Sequence, residues 1–214
     1  MKKFTVLFVL FVVPLAAYLF IIQGKINFEP LPVLNEEVIG LNAFQDENQD
    51  LNLIGKISVV SFLGADFDRI KMGVLNLNQI IYKKLVKYKD FQIVVIVPEG
   101  SEEEIVQLKS DLTFMVGTDL NKWKFVFGSK SDIIGLHNDL KVNSELTEYL
   151  GNDKVYLIDM NGRLRGRIDE EDGIQYGYNM FKASVLKNEL LDDVKVVFYE
   201  YNSSLKKFES NRDI

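Results

Sequence analysis

Two carboxylates, Asp66 and Asp68, stand one residue apart in the stretch Gly64-Ala65-Asp66-Phe67-Asp68-Arg69-Ile70-Lys71-Met72-Gly73. Carboxylates so placed could hold a hard cation or serve an enzyme as acid and base. A calcium loop, however, needs about six oxygen ligands. Two acids beside Arg69 at the start of a helix fit a capping role, because negative charge is favourable there. His137 is the one histidine. A single imidazole without partners at ligand spacing holds neither zinc nor copper, and its expected place is a helix surface or boundary. Met72 and Met115 carry thioethers, which suit copper(I). The chain has five methionines and no Met-x-x-Met cluster, so ordinary packing is the expected role. Asp169-Glu170-Glu171-Asp172-Gly173 could face a basic partner and reads as a solvated turn. The Gly-x-Ser and glycine-rich signatures of hydrolases and nucleotide binders are absent.

The chain contains no cysteine, which removes disulfides, thiolate nucleophiles and sulfur-based metal sites together. It leaves the compartment open. From the residues alone no catalytic, cofactor-binding or metal site is assigned, no cofactor is expected, and the chain is not expected to be an enzyme. The first 23 residues hold Lys2, Lys3 and no acid, leaving 23 basic against 31 acidic side chains, a balance of −8. Such a domain repels phosphate backbones, and no nucleic-acid partner is expected.

The elements that must position these residues follow from hydropathy. Phe4–Ile22 is a 19-residue uncharged run interrupted by Pro14. A membrane-spanning helix needs ~20 apolar residues and tolerates proline. Lys2 and Lys3 before it place the remainder outside the cytoplasm. The rival, a cleaved signal peptide, has a shorter apolar core and a small-x-small end, whereas this run ends Tyr18-Leu19-Phe20-Ile21-Ile22. The expected organisation is an anchor over 1–23, an extended tether over 24–37 with Pro30 and Pro32, one domain over 38–201, and a fraying polar tail over 202–214.

Within the domain, Val38–Phe44 and Leu51–Ile54 around a polar stretch suggest a hairpin. Ile57–Leu63 reads as a buried strand. Ile70, Val74, Leu77, Ile81, Leu85 and Tyr88 recur at helical spacing. Phe91–Val97, stopped by Pro98, looks like a central parallel strand. Ser101-Glu102-Glu103-Glu104 suggests a capping box opening a helix with Ile105, Leu108 and Leu112. A strand over Lys124–Phe127 and a helix over Ser129–Leu140 follow. Val155–Ile158 and Leu164–Ile168 flank Asn161-Gly162, a hairpin signal in which both residues accept positive φ. Ala183, Leu186, Leu190, Val194, Val197 and Tyr201 mark a last amphipathic helix. Strand-helix-strand units imply right-handed parallel crossovers. The order fits a three-layer α/β sandwich of the thioredoxin type with a mixed sheet.

Three segments then resemble the Sco/SenC family of membrane-anchored copper chaperones. Gly55-Lys56-Ile57-Ser58-Val59-Val60-Ser61-Phe62-Leu63 is similar to its first core strand. Trp123-Lys124-Phe125-Val126-Phe127-Gly128-Ser129 is similar to its Trp-x-Phe-x-x-Gly strand. Tyr156 to Gly166 is similar to its Leu-Ile-Asp-x-x-Gly-x-x-Arg-Gly hairpin. The resemblance implies a Cys-Pro-x-x-Cys-Pro copper loop after the first strand and a histidine shortly before the hairpin. Here the loop is residues 64–73, with Asp66 and Ile70 at the cysteine positions when Asn76 anchors the match. No histidine lies between Leu146 and Lys154. The expectation is therefore a divergent member without copper or thiol chemistry: a single-pass, non-catalytic protein of the cell membrane, its domain outside the cytoplasm. It would bind a protein partner in the envelope, in respiratory-oxidase assembly or copper handling. The alternatives are an enzyme using the loop carboxylates and a structural scaffold domain of an envelope complex.

Overall fold

The computed structural model describes residues 2–22, 29–37, 40–41, 44–46, 51–117, 119–169 and 173–210; side chains are described for these except residues 2, 17, 19–22, 45–46, 115–116 and 204–210. The apolar N-terminal run forms one helix, α1 (Lys2–Ile22), with Pro14 inside it. Among the described residues no helix is long and apolar enough to cross a membrane; on α1, side chains are described only for 3–16 and 18.

The domain is built on a mixed sheet in the order β1-β7-β6-β3-β4-β5-β2, with β10 also on β6. Its strands are β1 (Val33–Asn35), β2 (Gln45–Asp46), β3 (Ile57–Phe62), β4 (Phe91–Pro98), β5 (Trp123–Gly128), β6 (Lys154–Ile158), β7 (Leu164–Arg165) and β10 (Tyr178–Asn179). β3, β4 and β5 run parallel, and β6 is antiparallel to β3. β8 (Arg167–Asp169) and β9 (Gly173–Gln175) form a separate ribbon.

The apolar runs of β3 and β4 are buried on both faces, as strands inside a sheet must be. Ile57 and Val59 join one core with Phe91, Ile93 and Val95; Val60 and Phe62 join another with Val94 and Ile96. Against the first core pack α2 (Phe67–Asn76), α4 (Glu102–Val116) and the C-terminal helices. Helix α2 continues through a π-helical turn, Leu77–Tyr82, into α3 (Lys83–Leu85), and α6 (Ala183–Val185) continues through Leu186–Leu190 into α7 (Leu191–Ser210). Ile70, Val74, Leu77, Ile81 and Leu85 are all buried, as their spacing requires. Helix α5 (Lys130–Asp139) covers the opposite face through Ile133, Leu136 and its C-cap Leu140.

Several expectations differ. Among the described residues the pieces around 38–54 do not pair with each other; β2 forms on the polar Gln45-Asp46 and joins β5 antiparallel. This edge strand is held by backbone pairing, which hydropathy does not report. The tether ends in the sheet, because β1 pairs with β7. Ser101 makes no capping hydrogen bond and is buried; the capping box is at Ser129, whose hydroxyl and Asp132 serve each other's backbone N–H. In the closing hairpin only Gly162 of the Asn-Gly pair takes positive φ. Gly162 N–H donates to Asp159 O at 2.9 Å, and Asp159 N–H donates to Arg163 O at 3.0 Å. This is a type I turn with a glycine bulge rather than a two-residue turn. Helix α7 also runs to Ser210, into the segment expected to fray.

Asp159 is fully buried and Arg165 nearly so. Asp159 Oδ2 accepts from Arg165 Nη1 at 3.1 Å and Arg163 Nη2 at 3.0 Å. Its Oδ1 accepts from the N–H groups of Asn161 and Arg163. Arg165 also donates from Nε to Leu31 O at 3.0 Å and pairs with Glu200 at 2.6 Å, and Glu200 accepts from Leu31 N–H at 2.8 Å. One cluster thereby fastens the hairpin, the tether and the last helix together. Burial alone would raise the Asp159 carboxyl; the hydrogen bonds from Arg163, Asn161 and Arg165 outweigh it and hold the group below its ordinary range. That stability is present above pH ~4 and is lost as pH falls through the lower native value. Asp159→Asn should lose about 3–5 kcal/mol of unfolding free energy at neutral pH, measured by urea denaturation.

His137 is buried on α5, against expectation, edge-on to Phe62 (5.3 Å) and to Tyr156 (6.5 Å), and its Nε2 has no hydrogen-bond partner among the described residues. The sequence places it between the inward Ile133 and Leu140, and the aromatic edges complete its cover. Burial pushes its pKa down. The unfolded chain therefore takes up the proton first, and stability falls as pH drops below ~6.5. Urea titrations at pH 7 and pH 5 should show this loss in the native chain and a smaller one in His137→Leu. The window lies above the one set by Asp159.

Candidate functional site: the loop at the head of the second helix

Strand β3 ends at Phe62, and Leu63 N–H still pairs with Ile96 O at 2.9 Å. The chain then turns at Gly64, φ +68°. A Cβ there would fall 2.5 Å from backbone atoms of Tyr149 and Gly151, so only glycine fits. Ala65 N–H donates to Tyr149 O at 2.9 Å, and Asn152 N–H donates to Phe62 O at 2.9 Å. The loop after β3 and the loop before β6 are thus joined through their backbones. These are the two segments in which the resemblance implies two thiolates and an imidazole.

The side chains found there do different work. Asp66 is the N-cap of α2, accepting from Arg69 N–H at 3.3 Å, and Asp68 lies in the first helical turn, where negative charge is favoured. Arg69 pairs with Asp153 and lies 5.6 Å over the ring of Phe181. Ile70 is 1% exposed, a member of the core. Across the loop, Asn152 is turned inward, donating to Ser144 Oγ at 3.0 Å and Glu145 O at 3.2 Å and accepting from Lys154 N–H at 2.8 Å. Leu150 takes a left-handed φ of +64°, which lets the chain fold back onto Gly64. Beneath the loop, Asn76 Nδ2 donates to Met180 O at 3.1 Å, and a Cβ at Gly73 would meet the Met180 side chain.

Copper is the group the resemblance implies, and these residues do not fit it. The loop presents carboxylates and a guanidinium, with neither thiolate nor imidazole, and its one sulfur is the thioether of Met72. His137 cannot complete a site here: it packs with Phe62 and Tyr156 in the core on the α5 face, whereas Ile70 and Val74 carry α2 on the other. Met72 is 60% exposed on α2; the side chain of Met115 lies outside the described residues. Among the described residues no group of three or more histidine, cysteine, aspartate or glutamate side chains could hold a metal ion. The acidic run has its described ends, Asp169 and Gly173, paired and exposed across the ribbon; residues 170–172 lie outside the described residues.

Sequence reasoning missed the Arg69–Asp153 pair, because partners 84 residues apart leave no local spacing signal. It also missed the inward role of Asn152. What remains exposed around the loop is Ala65, Asp68, Arg69, Met72 and Tyr149, a mixed apolar and charged surface.

No protein-family model matches the chain, and no curated protein matches it. Among solved structures it is similar to BsSco, described as a member of the Sco family of cytochrome c oxidase assembly proteins with a disulfide switch. Identity is 17% and the TM-score 0.52, over 79% of this chain and 98% of that one. It is also similar to a SCO1/SenC family lipoprotein from Bacillus anthracis str. Ames, at 16% identity and a TM-score of 0.50, over 82% of this chain and 98% of that one. At such identities the likeness is one of fold. These neighbours come from the family that the strand and hairpin motifs resemble, and the chain has their thioredoxin-like mixed α/β fold with no cysteine anywhere in its sequence.

Proposed function

We propose that the chain is a divergent, membrane-anchored Sco-like protein that works by binding a protein partner outside the cytoplasm, without copper transfer or thiol exchange. The observation that carries this reading is the loop itself. Asp66 caps the helix that follows, Ile70 is core, and Arg69 is tied to Asp153. A loop so stabilised keeps the scaffold and a surface but supplies neither thiolate nor imidazole, and a lone thioether, Met72, does not make a copper site. The anchoring rests on α1, whose described apolar side chains from Phe4 to Leu15 stand exposed. An apolar helix of that kind requires a lipid or protein cover. The setting in respiratory-oxidase assembly comes from the role described for the family of one neighbour, BsSco.

The full chain, titrated with copper(I) against a competing chelator, should leave the metal with the chelator; tight, stoichiometric uptake would overturn the proposal. In the native organism it should stay with the membrane through alkaline carbonate and be digested by protease added from the extracytoplasmic side. Deleting the gene should lower the assembled haem–copper oxidase in membranes. Unchanged oxidase levels would remove that setting while leaving partner binding to be judged by co-purification from solubilised membranes.

A further inference from the structure

Positive charge gathers at the end of the sheet where β3, β4 and β5 begin. Lys83, Lys84, Lys87 and Lys89 fall within residues 83–89 and are all exposed. No described carboxylate pairs with any of the four. Two further lysines come from neighbouring segments, Lys56 ahead of β3 and Lys122 ahead of β5. The backbone holds these segments together: Ile57 N–H donates to Asp90 O at 2.7 Å, and Ile93 N–H donates to Lys122 O at 2.9 Å. Lys122 Nζ also donates to Tyr88 O. The acids beside them are Asp90, paired with Lys56 at 3.2 Å, and Asp119, which accepts from the Tyr82 hydroxyl at 3.4 Å. Burial and then the Lys56 ammonium push the Lys122 pKa down, outweighing both aspartates. Tyr88 stands among the lysines, 37% exposed, with Lys87 Nζ 5.6 Å over its ring. Ile54, 48% exposed, lies two residues before Lys56.

Charge and reach together name the occupant. Beyond residue 23 the chain carries a balance of −8, so an anionic surface repels most of the domain and attracts this end. Lysines around a part-exposed tyrosine and an isoleucine suit a headgroup layer, where ammonium groups meet phosphates and an amphipathic ring sits at the interface. The entering chain brings such a layer within reach. Leu31 is clamped by Arg165 and Glu200, and Tyr88 stacks on Phe198 at 4.8 Å. Phe198 and Glu200 are two residues apart on α7. The lysine face and the tether therefore lie on opposite sides of one helix about 10 Å across, at nearly the same height. Residues 23–30 span at most about 30 Å when fully extended.

We infer that this lysine face rests on the anionic headgroups of the bilayer that holds α1, docking the domain on the membrane surface. The inference rests on the anchoring reading for the bilayer and adds the orientation of the domain upon it.

The test uses the full chain in nanodiscs of phosphatidylcholine, alone or with phosphatidylglycerol, and a neutral amine-acetylating reagent read by mass spectrometry. With phosphatidylglycerol, acetylation of Lys83, Lys84, Lys87 and Lys89 should slow about threefold or more, and high salt should restore it. Lys130, past the far end of β5, should label equally in both lipids. The double variant Lys87→Glu/Lys89→Glu, checked for folding by circular dichroism, should lose the protection at Lys83 and Lys84. Equal labelling in the two lipids, or protection that survives in the variant, overturns the inference. If polyglutamate slows the labelling where phosphatidylglycerol does not, the face belongs to an acidic protein and the inference fails. Co-elution with the discs is scored separately. A chain that joins only phosphatidylglycerol discs, with these lysines protected, sinks the anchoring reading and leaves the headgroup contact standing; a chain that joins neither overturns both.

Discussion

A carboxylate that is wholly removed from water organises this domain. Asp159 sits in the turn of the closing hairpin, and the entering chain at Leu31 and the last helix at Glu200 are linked to it through Arg165. Arg163 and Arg165 reach it from the same hairpin; Leu31 and Glu200 are drawn in through Arg165. Ion pairs of this kind add little net stability over an apolar core of equal volume, but a half-removed one is costly. Their value is geometric. The guanidinium of Arg165 must meet a carbonyl on the entering chain and a carboxylate on the last helix at once, which fixes where both run across the sheet edge.

The sheet itself was largely legible. Ile57–Phe62 and Phe91–Val97 are largely apolar runs, broken only by Ser58, Ser61 and Gln92, and burial on both faces explains them. The i, i+3/i+4 recurrence from Ile70 to Leu85 placed the long helix on one face, though not its π-helical turn. Elements held by backbone pairing were not legible: β2 is two polar residues, and β1 lies in a proline-flanked segment with no alternation. Ser101-Glu102-Glu103-Glu104 carried the capping pattern without the contact, because the Ser101 side chain is buried instead.

The candidate site was readable as a deficit and not as an arrangement. The missing thiolates and imidazole follow from residue types alone. That the two loops are joined by Ala65 to Tyr149 and Asn152 to Phe62, and that Arg69 closes on Asp153, depends on contacts between segments more than 80 residues apart. His137 shows the same limit. Its helix was correctly expected, but its burial is decided by Phe62 and Tyr156, which come from two different strands.

The burial of Ile70 carries a chemical consequence. A thiol installed at that position would enter hydrocarbon, where its ionised form is disfavoured and attacking reagents are excluded. Swapping residues 66 and 70 for cysteines would restore the letters of a redox motif without its reactivity. Recovery of that activity would require the first turn of α2 to unwind or rotate outward, abandoning the contact of Ile70 with the core. The side chains at these positions have structural occupations of their own: Asp66 caps α2, Arg69 pairs with Asp153 and Ile70 belongs to the core.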